Sequence, residues 1–270
     1  MKAPSRHERM FAGLEVARRV WAVGAVHAEA ERLRELHGAL ETKLEPGDRL
    51  VYLGNYLGPG TECLETLDEL LAFRRRAIAL PGNEARDVVY LRGAQEEMWT
   101  KLLQIQFATD PNAVLDWMLD QGTGAPLAAY GGDAEAARKS FREGTLAVTR
   151  WTGDLRVRIH ARPGHRELLG ALRRAAYTEN GELLLVHAGV DPGRPVTEQG
   201  DTFWWGSGHF EEIERSYAGF RKVIRGYDRA HRGVVIGEWV ASIDGGCGFG
   251  GTLSAVCFGL DGSTLDRIDV

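Results

Sequence analysis

The sequence predicts an α/β fold, and three observations carry that prediction. Short apolar runs ending in glycine lead into amphipathic stretches three times in the first half of the chain. The second half is instead rich in short β-type segments separated by glycine. Between the two lies a polar, helix-like stretch without the apolar-glycine rhythm.

The first unit is Val20 to Val23, stopped at Gly24 and followed from Ala28 to Leu40 by apolar residues at helical spacing. The second runs from Arg49 to Leu53, through the loop Gly54 to Gly60, into Glu62 to Arg75, where Leu64, Leu67, Leu70 and Leu71 line one face. The third takes Asp87 to Leu91, Gly93 and a helix from Gln95 to Gln106. Repeated strand-loop-helix units imply a largely parallel sheet, whose ligands bind where loops leave the carboxyl ends of the strands. The three loops are therefore expected to converge on one site.

Asp110-Pro111-Asn112 reads as a helix start, and the stretch from 95 to 150 as a helical insert capping that site. Strands are expected at Glu182 to Val186, Lys222 to Arg225, Gly233 to Ile236, Ser242 to Asp244 and Leu253 to Gly259. The glycine run Gly245 to Gly251 lacks the strand-to-helix setting of a phosphate loop and reads as a hairpin or bulge. With no low-complexity linker or repeat, residues 1–270 are expected to form a single domain.

The chain has 270 residues, a formal charge of −5 and 26% charged residues. That charge argues against a basic nucleic-acid surface. Arg74, Arg75 and Arg76 form the one short basic run, expected at a solvated helix end. Three cysteines, Cys63, Cys247 and Cys257, lack paired spacing and point to a reducing compartment. Met1 to Glu15 lacks the apolar core of a signal peptide, and no apolar run is long enough to span a membrane. A cytoplasmic location is expected, with no membrane partner.

Five loop segments carry a family resemblance: Gly24-Ala25-Val26-His27-Ala28, Gly54-Asn55-Tyr56-Leu57-Gly58-Pro59-Gly60, Arg92-Gly93-Ala94-Gln95-Glu96, His187-Ala188-Gly189 and Arg225-Gly226-Tyr227-Asp228. In order and spacing they resemble the signature of calcineurin-like metallophosphoesterases, in the branch of bacterial protein Ser/Thr phosphatases and diadenosine tetraphosphatases. The segment from Pro192 through Gln199, Asp201, Phe203, Trp204 and Trp205 also resembles that branch. The resemblance implies a β-sandwich of mixed sheets flanked by helices. It also implies two divalent cations, about 3.5 to 4 Å apart, that clamp a phosphoryl group and activate water.

Set against the family pattern, Ala25 stands at a ligating Asp, Asn55 at the bridging carboxylate, Ala94 at a ligating Asn and Tyr227 at a ligating His. Gly58 stands at the Asp that orients the general acid, Gln95 at the acid itself and Pro59 at the phosphate-binding Arg. His27, His187, Arg92 and Glu96 are kept. The expectation is a pseudophosphatase with no cofactor, acting by binding a protein or a phosphorylated small molecule. The alternative is an active phosphoesterase with one Mn, Fe or Zn ion on His27 and His187, helped by Asn55, Glu29, Asp191 or Asp228. His27 and His187 also have a plain reading as hydrogen-bonded loop or core residues.

His7, His37, His160, His165, His209 and His231 lack metal-ligand spacing and read as surface or packing residues. Phe203 to Trp205, Trp99 and Trp117 read as packing residues. Cys63 opens a helix, where a lowered thiol pKa is conceivable. Gly82-Asn83-Glu84 precedes its strand and so is no displaced copy of the third motif.

Overall fold

The computed structural model describes residues 10–270. His7 and the first part of the Met1 to Glu15 segment lie outside the described residues. Two mixed sheets, one of five strands and one of six, stack face to face.

In the five-stranded sheet, β2 (Arg19–Val23), β3 (Asp48–Tyr52) and β4 (Val88–Tyr90) are parallel. β10 (Ser254–Gly259) and β11 (Thr264–Asp269) extend it antiparallel, giving the order β11-β10-β2-β3-β4. In the six-stranded sheet, β6 (Leu183–Val186), β7 (Lys222–Arg225) and β9 (Val240–Ser242) are parallel. β1 (Phe11–Leu14), β5 (Ala175–Thr178) and the two-residue β8 (Val235–Ile236) complete it, in the order β1-β5-β6-β7-β9-β8. The expected parallel run is therefore present, but inside mixed sheets.

Period-two alternation explains the layering. Val20 and Ala22 of β2 face the other sheet beside Leu183, Leu185 and Phe258, while Trp21 and Val23 face helices. Those helices are α1 (Ala30–Glu41) and α2 (Cys63–Ala79), which offer Leu33, Leu36, Leu40, Leu67, Leu70 and Phe73. On the far side, Leu184 and Val186 pack against Phe203, Trp204 and Phe210.

The helical stretch continues beyond Arg150. α3 (Ala94–Leu102), α4 (Pro111–Met118), α5 (Gly124–Ala129), α6 (Ala134–Glu143), α7 (Thr145–His160) and α8 (His165–Gly170) lie between β4 and β5. Asp110 accepts a bond from Ala113 N at 3.1 Å, the side-chain cap that the Asp-Pro-Asn sequence predicts. A π-helical turn, Leu119–Thr123, joins α4 to α5. His165 ties this stretch to α2, bonding Tyr130 Oη at 2.7 Å and Asp68 at 3.0 Å. His37 is likewise internal, stacked on Phe73 and bonded to Tyr52 and Glu69.

Among the described residues, no helix is long and apolar enough to cross a membrane. Burial pushes the Cys63 thiol up to about 11, opposite to the lowering conceivable for a helix-opening cysteine. The Gly245 to Gly251 run forms tight turns closed by a Gly246–Thr252 bridge.

Candidate functional site

The five motif loops leave the carboxyl ends of β2, β3, β4, β6 and β7 and interlock through their backbones. Asn55 O accepts from Val26 N at 3.2 Å and His27 N at 2.6 Å, joining the first two loops. Ala25 N donates to Gly226 O at 3.0 Å, and His187 O accepts from Gly226 N and Tyr227 N at 3.0 and 2.9 Å. His187 Nδ1 reaches Leu53 O at 2.7 Å, linking the fourth loop to the second.

Glu96 is the centre of this arrangement. Its carboxylate accepts four backbone N–H bonds of 2.8 to 3.0 Å, from Asn55, Tyr56, Leu57 and Gly93. Burial raises its pKa, and the four amide bonds pull the other way. Each oxygen accepts two bonds, so the ionised, acceptor-only form is the one that satisfies all four donors. Asn55 adds a fifth tie by accepting from Gln95 N at 3.0 Å through Oδ1. It holds a positive φ of 53°, a conformation that Asn tolerates better than most residues.

Gly54 is required for a reason of space. A Cβ there would lie 2.7 Å from Gly93 N and 2.8 Å from His187 Nδ1. Its φ of +101° also excludes most side chains.

His27 and His187 reach the same site. His27 Nδ1 lies 3.3 Å from Gly58 O. Since a carbonyl can only accept, both histidines carry their proton on Nδ1 and expose a bare Nε2 lone pair. Neither Nε2 has a partner, and both rings are buried. Burial lowers the pKa of His27 to about 4 and that of His187 to about 3, so both are neutral at pH 7. Tyr227 lies against both, stacked on His187 with centroids 5.3 Å apart and 5.6 Å from His27.

The remaining family positions are filled by contacts of another kind. Gln95 donates through Nε2 to Gln121 O of the π turn at 2.7 Å. A Cβ on Gly58 would stand 2.7 Å from Gly122 O, so the insert packs onto the second loop at this position. Pro59 is exposed and lies beside Gly122. Ala94 packs into the cluster around Val186 and Phe203. Arg92 bonds Glu97 at 3.0 Å.

Sequence reasoning missed His231, Asp244, Phe249 and Gln121. His231 is no isolated surface residue: its Nδ1 bonds Asp244 at 2.9 Å and its ring stacks on Phe249 at 4.0 Å. Phe249, from the glycine run, also meets His27 edge-on at 5.0 Å. No local spacing announces these contacts, which depend on tertiary placement.

A two-ion centre needs several donors per ion, one of them a shared carboxylate. Among the described residues no group of three or more His, Cys, Asp or Glu is placed to hold a metal ion. Asp228 is taken by Arg232 at 2.6 Å and Arg225 at 3.2 Å, and Asp191 by Gly193 N and Arg194. Two lone pairs on separate loops do not fit a two-metal site.

No protein-family model matches the sequence, and no curated protein matches it. In structure, the chain is similar to a "putative diadenosine tetraphosphatase" at 19% identity, over 96% of this chain and 97% of the other, with a TM-score of 0.56. It is also similar to a single-residue mutant of a cold-active protein tyrosine phosphatase, at 12% identity over 99% and 85% of the two chains, with a TM-score of 0.51. Together with the two mixed sheets and the five interlocked loops, these likenesses establish that the chain has the calcineurin-like metallophosphoesterase fold.

Proposed function

We propose that this protein is a pseudophosphatase, a metallophosphoesterase fold that binds and does not hydrolyse. The observation that carries the reading is the donor set. The site offers two neutral imidazole lone pairs, with Ala25, Asn55, Ala94 and Tyr227 at the other ligand positions and no carboxylate to bridge two ions.

The general-acid position supports the same reading. Gln95 cannot donate a proton to a leaving group, and its amide is engaged with Gln121 of the insert. A phosphorylated ligand would meet Pro59 in place of a guanidinium and uncharged histidines in place of cations. A protein partner is therefore favoured over a phosphorylated small molecule. The three buried, unpaired thiols support a cytoplasmic setting.

The unpartnered Nε2 atoms favour one alternative, a single Mn, Fe or Zn ion on His27 and His187. One test addresses both readings. Protein purified without chelator is loaded with Mn, analysed for metal and assayed on p-nitrophenyl phosphate. Substoichiometric metal and no turnover above the blank are expected. Stoichiometric metal with hydrolysis that tracks occupancy and disappears in His187→Ala overturns the proposal in favour of the single-ion enzyme.

A further inference from the structure

The proposed function does not use a groove between α3, α7 and α8, with a volume of about 300 Å³. Its walls bring together Arg92, Arg156, Arg166 and His160. No Asp or Glu lines it, although the chain as a whole is acidic. Trp99, Leu103 and Ile159 supply an apolar floor.

One feature of the groove is free: the Arg166 side chain makes no ion pair or hydrogen bond among the described residues. The Trp99 indole is stacked on Tyr130 at 5.3 Å. Arg92 and Arg156 are held in place by Glu97 and by Leu103 O, which fixes their heads at the groove. A groove whose charged side chains are all donors is completed by an acceptor.

We infer that this groove binds a small organic acid: its anionic head among the guanidiniums, its apolar body against Leu103 and Ile159 beside Trp99. Guanidiniums favour planar carboxylates through paired N–H bonds. The volume sits at the small end of ligand pockets, so the occupant is a compact acid and not a peptide. Arg92 belongs to the third motif loop, but the inference is independent of whether the face carrying His27 and His187 binds anything.

The test uses the full chain and hexanoate, hexanol and inorganic phosphate as probes. Side-chain NMR follows the Trp99 indole resonance, assigned with Trp99→Phe. Hexanoate is expected to move that resonance saturably, hexanol and phosphate far less. Exposed Arg166, changed to Gln, is expected to weaken hexanoate by about tenfold while leaving the rest of the spectrum in place, in line with loss of one charge-assisted bond. The inference is overturned if hexanoate leaves the resonance still, if hexanol or phosphate moves it equally, or if Arg166→Gln binds hexanoate as tightly as the parent.

Discussion

Glu96 and the pair His27 and His187 come from three of the five interlocked loops and are equally buried, yet their bonding is opposite. Every oxygen lone-pair direction of Glu96 is used by a backbone N–H. Each histidine has one nitrogen bonded to a carbonyl and the other bonded to nothing. The residue whose task is to hold loops together has kept all its partners. The Nε2 atoms of the two histidines take no part in that bonding.

The comparison breaks first, if it breaks, at Glu96. Glu96→Ala leaves four buried N–H groups without an acceptor and is expected to cost about 3 to 5 kcal/mol in urea denaturation. Glu96→Gln, with one acceptor oxygen left, is expected to lose about half of that. A cost below about 1 kcal/mol for the alanine variant would mean that the loops hold each other without it.

The histidines predict a pH dependence of comparable size. An unfolded histidine titrates near 6.5, whereas His27 and His187 do so near 4 and 3 in the fold. Between those values the unfolded state binds more protons. Stability from this source is complete above pH 6.5 and falls on acidification, by about 3 kcal/mol from His27 alone by pH 4. Urea midpoints measured from pH 7 to 4 check this, and a flat profile contradicts neutral buried histidines.

Gly58→Asp sharpens the comparison from the side of the insert. The new side chain meets Gly122 O, so a loss of about 1 to 3 kcal/mol is expected, read as a lowered Tm. An unchanged Tm would mean that the insert gives way and that the family carboxylate still has room. The smallest effect belongs to His27→Phe, which keeps the ring among Tyr227 and Phe249 and removes only a long bond to Gly58. A change within about 1 kcal/mol is expected at pH 7. A loss as large as that of Glu96→Ala would erase the distinction between the two kinds of residue.

Much of this was legible in the sequence. Glycines at strand ends and the order of the five segments are local features, and local features survive without an alignment. β11 was not legible: Thr264–Asp269 is a largely exposed edge strand, with three acids or bases in six residues. β5 was hidden by its small residues, Ala175 and Ala176, which carry little strand preference. Nor could spacing reveal that Gln121 meets Gln95, or that Phe249 and His231 close over His27, since these pairs join distant segments.

The central claim is that the loop scaffold persists while the capacity for a metal pair does not. Calorimetric titration of Mn into the parent chain and into the variant carrying Ala25→Asp, Asn55→Asp, Ala94→Asn and Tyr227→His tests it most directly. The parent is expected to give no saturable heat and the ligand-restored variant to bind. Saturable binding of two ions by the parent chain would contradict the account.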